Sequence, residues 1–257
     1  MFKAIPLFSS SSGNCVYVQY NDEEILIDAG VSYKRICAAL TSIGSDISRI
    51  KAVLVTHEHS DHVQALDVLS KHADIPIYIN SGSADSFYCH PDELFCGHVI
   101  IANPGETLTF GGFDVDIFAT PHDSAGSVGY HFTFSDGNRF ALATDIGHLT
   151  DDIKKHLLGC SQVILESNHD IKKLKNGPYP YPLKQRILSD RGHLSNEACA
   201  QFVPQLVESG TKKIVLAHLS KENNTPALAY QTSAEALALA GFTPDDVKLT
   251  VAMCSII

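Results

Sequence analysis

The densest chemical signal in the chain is Thr56-His57-Glu58-His59-Ser60-Asp61-His62, directly after the apolar run Lys51-Ala-Val-Leu-Val-Thr56. Imidazoles and carboxylates at this spacing are the side chains of a metal site. In an extended loop, residues two apart point the same way, so His57 and His59 can share one ion. Asp61 and His62 fall where the next helix should begin, turned toward a second. A nitrogen–oxygen donor set of this kind suits zinc, manganese or iron rather than magnesium or calcium. The bland alternative makes Asp61 a helix N-cap and the histidines surface residues. Three histidines and an aspartate packed into six positions weigh against it.

Such a loop needs a frame. The chain alternates short apolar runs with amphipathic stretches, the pattern of an α/β layered fold. Strands are expected at 2–8, 15–20, 24–28, 51–56, 76–79, 98–101, 107–110, 113–119, 127–134, 139–144, 162–165, 212–217 and 247–251. Helices are expected at 32–43, 62–71, 82–89, 150–158, 195–207 and 226–240. The run 51–56 is nearly all apolar, as a strand covered on both faces requires. With no linker, repeat or low-complexity tract, residues 1–257 read as a single domain.

Composition bounds the function. A hydrophobic fraction of 44% over 257 residues builds a full core without staples. The seven cysteines are odd in number, irregularly spaced and lack a C-x-x-C pair. They read as small buried apolar residues in a reducing compartment. The N-terminal apolar stretch is broken by Pro6 and gives way to Ser9-Ser-Ser-Ser-Gly13, unlike a signal peptide, and no apolar run approaches the ~20 residues of a membrane span. A cytoplasmic protein is the expectation. The net charge of −10 argues against broad nonspecific nucleic-acid binding. It does not exclude a nucleic-acid substrate, because bound cations add positive charge where a scissile phosphate would sit. One segment runs against the balance. Lys172, Lys173, Lys175, Lys184, Arg186 and Arg191 stand with only Asp170 and Asp190, around the irregular Gly177-Pro-Tyr-Pro-Tyr-Pro182. A basic loop carrying two tyrosines suits an anionic, stackable substrate, or it is a solvated surface loop.

The motif resembles the H-x-H-x-D-H of the metallo-β-lactamase superfamily. The resemblance implies an αββα sandwich, two facing mixed sheets flanked by helices, with the site at the sheet edges. It also picks out further ligands. Ala119-Thr-Pro-His122, Ala141-Leu-Ala-Thr-Asp145-Ile-Gly147 and Ile214-Val-Leu-Ala-His218 resemble the superfamily's later motifs, and Ile25-Leu-Ile-Asp28-Ala-Gly30 its first. Carried over, His57, His59 and His122 would bind one ion and Asp61, His62 and His218 the other. Asp145 would bridge the two. Asp28 would orient ligands or hold its turn. Asp61 would also position the attacking water and accept its proton. The implied cofactors are two divalent ions, zinc or manganese.

Later motifs separate the branches. Gly192-His193-Leu-Ser195 resembles the Gly-His-Ser-Thr segment of tRNase Z, and Glu166 the acid that pairs with that histidine. Expelling an alkoxide calls for such a pair, a histidine kept protonated by a carboxylate; His193 can otherwise be part of a helix start. The chain lacks a long Gly/Pro-rich insertion and has His218-Leu-Ser-Lys-Glu-Asn-Asn224 where tRNase Z has His-Phe-Ser-Pro-Arg-Tyr. Ser12-Gly-Asn-Cys15, the histidine motif, Glu166-Ser-Asn-His-Asp170, Gly192-His-Leu-Ser-Asn196 and His218 to Asn224 resemble the YycJ/WalJ-like bacterial family over residues 9–226. That implies a 5′→3′ exonuclease acting on DNA in preference to RNA. Ser10, Ser12, Asn14, Asn168 and Asn223 would line the pocket as donors to phosphate, or cap their own loops. His169 fits either a substrate contact or a loop. His72, His90, His98, His131, His148 and His156 read as structural or exposed. Two rival functions remain open: a small-molecule hydrolase (a thioesterase or cyclic-nucleotide phosphodiesterase), and a metal-binding module without turnover.

Overall fold

A computed structural model describes residues 1–87 and 98–257. The last two positions of the helix expected at 82–89, and with them Cys89, His90 and Cys96, lie outside the described residues.

Two mixed sheets face each other. The first has six strands in sequence order: β1 (Lys3–Phe8), β2 (Cys15–Tyr20), β3 (Glu23–Ile27), β4 (Ile50–Leu54), β5 (Ile77–Ile79) and β6 (Val99–Ile101). The second runs from β7 (Thr107–Phe110) through β8 (Phe113–Ala119), β9 (Val128–Phe134), β10 (Arg139–Ala143), β11 (Gln162–Glu166) and β12 (Lys213–Ala217) to β13 (Lys248–Val251). Each sheet begins with antiparallel hairpins and continues parallel, from β3 in the first and from β10 in the second.

The pleat explains the layering. Along β4, Ala52 and Leu54 face the second sheet, while Val53 and Val55 face helices. Ile25, Ile27, Tyr130, Phe132, Phe140 and Val215 fill the space between the sheets. Leu26 and Val53 pack with Ile36 and Leu40 of α1 (Tyr33–Ser42) and with Leu66 and Leu69 of α3 (Leu66–Ala73). On the far side, Val163 and Leu165 pack with Ile153 of α5 (Asp151–Leu157), Phe202 of α8 (Asn196–Glu208) and Leu237 of α9 (Pro226–Leu239). Four layers result: helix, sheet, sheet, helix.

The helix expected over 62–71 is two pieces, α2 (Ser60–Val63) and α3, parted at Gln64-Ala65. Ala65 gives its N–H to Ala29 O, 2.9 Å away, and so leaves the helical ladder. A Cβ at Gly30 would collide with the Asp61 carbonyl, so the two loops touch through backbone alone. The segment expected to be partly irregular carries two short helices, α6 (Ile171–Asn176) and α7 (Tyr181–Ile187); another short helix, α4 (Ser81–Asp85), follows β5. Asp170 starts α6 by accepting the Lys173 N–H at 2.6 Å.

Candidate metal centre

Parallel strands deliver their side chains at their carboxyl ends, and the candidate residues gather there. Asp28 follows β3, the histidine loop follows β4, Asp145 follows β10, Glu166 ends β11 and His218 follows β12. Asp28, Asp145 and His218 all have left-handed backbones, with φ of 62°, 57° and 57°. Such a backbone costs a non-glycine residue ~1–3 kcal/mol. The surrounding structure holds this strain so that each side chain turns into the cleft.

Two clusters face each other there. The ring centroids of His57, His59 and His122 stand 4.6–5.2 Å apart. Donor atoms of these three lie within 4.8 Å of one another, as do those of Asp61, His62 and His218, and those of His57, His62 and Asp145. Asp145 thus sits between the groups: one oxygen is 3.5 Å from His62 Nε2, the other 3.9 Å from His122 Nε2 and 3.3 Å from His218 Nδ1.

The outer nitrogens are tied down. His62 Nδ1 donates to Asp28 Oδ2 at 2.7 Å, and Thr56 N–H donates to Asp28 Oδ1 at 2.8 Å. His122 Nδ1 donates to Gly192 O at 3.1 Å, and His218 Nδ1 to Glu166 Oε1 at 2.9 Å. Each ring is therefore turned to present Nε2 inward, as metal-binding imidazoles are. Among the described residues, His57 Nε2, His218 Nε2 and Asp145 Oδ2 are buried with no hydrogen-bond partner. Buried polar atoms left unpaired are costly, and a cation would satisfy all three. The field points the same way. Burial would lower the pKa of His62, but the charges of Asp28 and Asp145 outweigh it and push it up to about 9. Burial would lower His218 likewise, but Asp145, Asp61 and Glu166 around its ring outweigh it and take it well above the ordinary histidine range. The carboxylates demand positive charge. His57, ringed by imidazoles and buried, moves well below that range and offers a lone pair. The residues fit divalent metal.

Beside this cleft Glu166, fully buried, accepts four hydrogen bonds. Its Oε1 takes His193 Nδ1 at 2.8 Å as well as His218, and its Oε2 takes the N–H groups of Ile146 at 2.8 Å and Leu194 at 3.1 Å. Burial alone would raise its pKa, but the charge and hydrogen bond of His193 and those of His218 hold it well below the carboxylate range. His193 is raised in turn: burial opposes, and Glu166 and Asp145 prevail. With Nδ1 occupied, Nε2 is the atom His193 can use.

A model of the beta-lactamase superfamily domain matches residues 23–219. The chain belongs to the metallo-β-lactamase superfamily. It is 36% identical over 236 residues to exodeoxyribonuclease YycJ of Bacillus anthracis, covering 92% of this chain and 89% of the relative. It is 38% identical over 251 residues to exodeoxyribonuclease WalJ of Streptococcus pneumoniae, covering 93% and 89%. The metallo-β-lactamase fold protein YhfI from Bacillus subtilis superimposes with a TM-score of 0.74 at 16% identity, over 99% of this chain and 98% of that one.

The expected substrate contacts divide within this superfamily frame. Asn14 turns inward, its amide nitrogen 3.1 Å from His62 Nε2 and 3.3 Å from Asp61 Oδ2. Asn168 donates to His218 O at 2.8 Å and also lines a pocket beside His193. Asn223 is buried and holds its own loop, where Asp170 N–H donates to Asn223 O at 3.0 Å. Ser12 is exposed, its hydroxyl 3.0 Å from that of Ser10 and 2.6 Å from Lys221 Nζ. His169 is buried, both ring nitrogens without a partner among the described residues, and burial takes its pKa down to about 4. Sequence reasoning missed two residues. Glu58 clamps the histidine loop to the next one, accepting Ala125 N–H at 2.7 Å and Ser83 Oγ–H at 2.8 Å. Asp123 lies 3.4 Å from His122 Nε2 and pairs with Arg186. The positions of both, one inside the histidine motif and one directly after His122, were the available signal.

Proposed function

We propose that this chain is a two-cation phosphodiesterase that removes nucleotides from the 5′ end of DNA. The observation that carries the reading is the Glu166–His193 pair set against two three-ligand clusters, a pairing that amide or thioester hydrolysis does not require. The likeness to proteins named exodeoxyribonuclease over nine-tenths of the chain supports it.

His57, His59 and His122 would hold one cation, Asp61, His62 and His218 the other, with Asp145 between them; zinc and manganese both suit these donors. Bound there, two cations lower the pKa of a water and neutralise charge building on the phosphoryl oxygens. Asp61 orients that water and takes its proton. His193, held protonated by Glu166, gives its Nε2 proton to the departing oxygen as the P–O bond breaks, so no free alkoxide is expelled. We read residues 1–257 as one domain working in the cytoplasm; no described helix is long and apolar enough to cross a membrane.

Purified protein with manganese or zinc and end-labelled single- and double-stranded DNA tests this. Stepwise release of mononucleotides from the 5′ end is the expected result. No cleavage of DNA or RNA with any divalent ion, alongside hydrolysis of a thioester or cyclic nucleotide, would replace it with the small-molecule reading.

A further inference from the structure

A pocket of about 170 Å³ opens beside His193. One wall is Tyr179 with Leu183 and Ile187 of α7; the floor is polar, from Ser11, Asn168 and Ser220; Arg186 and Asp123 also line it. Its wall and the histidine are built as one piece. His193 N–H donates to Ile187 O at 3.0 Å. A Cβ at Gly192 would strike the carbonyls of Arg186 and Ile187, so only glycine lets α7 end against this loop. Lys184 Nζ donates to Lys175 O at 2.8 Å and Gly177 O at 2.7 Å, pinning the turn that carries Tyr179. Arg191 is also committed, its Nε donating to His122 O at 2.9 Å. Among the described residues Arg186 spends only Nε, on Asp123; its side chain is 57% exposed, and both Nη groups have no hydrogen-bond partner there.

We infer that this pocket takes the single nucleotide that departs, with its base against Tyr179, Leu183 and Ile187. The inference rests on the nuclease reading and sharpens it. Because Glu166 occupies Nδ1, Nε2 is the atom left to serve the leaving oxygen, and His193 itself lines this pocket. In 5′→3′ cleavage that oxygen is O3′ of the terminal nucleotide. Water adds to phosphorus, the P–O3′ bond breaks, O3′ takes the His193 proton, and the phosphate stays on the shortened strand. The terminal 5′-phosphate meets the free Nη groups of Arg186. The volume falls below the ~300–1,000 Å³ of ordinary small-molecule pockets, which suits one unstacked base with its sugar and phosphate at the mouth and excludes a strand. An aromatic and aliphatic wall accepts the face of any base, so the pocket selects an end and tolerates any sequence.

The test uses the manganese-loaded enzyme and two 3′-labelled single strands, identical except that the 5′-terminal sugar carries its base or lacks it. Wild type should make the first cut about 5- to 150-fold more efficiently (kcat/KM) when the base is present, the range for one base stacked on an aromatic ring. In Tyr179→Ala the ratio should fall below about threefold, and in Tyr179→Phe it should persist. An equal rate on both strands in wild type, or an undiminished ratio in Tyr179→Ala, overturns the pocket assignment and leaves the nuclease reading standing. A wild-type enzyme that cuts neither strand overturns both.

Discussion

Replacing Glu166 with glutamine removes one charge from a junction of four hydrogen bonds, and the structure gives the consequence in both stability and rate. One carboxylate oxygen serves His193 and His218, the other the backbone N–H groups of Ile146 and Leu194. A glutamine keeps one accepting oxygen and turns an NH₂ toward the other pair, so two buried donors lose their acceptor. At ~1–3 kcal/mol each, the fold should lose on the order of 2–6 kcal/mol. The kinetic effect is more diagnostic. Against burial, the charge and hydrogen bond of Glu166 hold the His193 pKa up, so their loss should let it fall. If His193 is the acid, as proposed, activity falls as pH rises through its pKa. Lowering that pKa brings the fall in at lower pH. The assay is kcat against pH on end-labelled DNA at saturating metal, with His193→Asn as the control that has no such limb to move. If the alkaline limb of Glu166→Gln stays in place or moves upward while its rate is lost, Glu166 does not tune His193 and the acid assignment fails.

Asp28→Ala frees His62 Nδ1 and the Thr56 amide, and should weaken metal binding by about 10- to 100-fold in a competition titration with a chromogenic chelator. Phe132, wholly buried between the sheets, should cost ~3–5 kcal/mol in urea unfolding when cut to alanine. His131, far from the cleft and paired at 3.2 Å with Asp116, has a pKa lowered chiefly by burial. The unfolded chain therefore takes this proton first. The His131 contribution to stability is complete above about pH 6.5 and is lost as pH falls below it. His131→Gln should flatten the decline of the metal-free protein's urea midpoint between about pH 7 and 5.5; an unaltered decline would refute the reasoning.

How much of this was legible before the coordinates depended on distance along the chain. His57, His59, Asp61 and His62 announce themselves because one loop carries them all, and the strand periodicity that places Asp145 and His218 at strand ends survives in the structure to within a residue or two. The break at Gln64-Ala65 was not legible, because its cause is Gly30, more than thirty positions earlier, pressing its backbone on Asp61 O. The roles of the six cations between 172 and 191 were equally hidden. Composition shows a basic segment, but only the fold reveals that Lys184 and Arg191 hold carbonyls while Arg186 is turned to the pocket. The Asp170 cap and the proline-led turn at 181–182 were signals for α6 and α7 that the basic, proline-rich composition masked. The clamp made by Glu58 was equally hidden, because its partners Ser83, in α4, and Ala125, in a later loop, are connected to it by no local pattern.

Side chains spread from His57 to His218 are proposed to cage two cations in one cleft. Manganese-soaked crystals, read by anomalous scattering, test it without any assay of activity. Two peaks are predicted, one ringed by His57, His59 and His122 and one by Asp61, His62 and His218, with Asp145 reaching both. A single peak, or none within reach of these residues at saturating manganese, would contradict it.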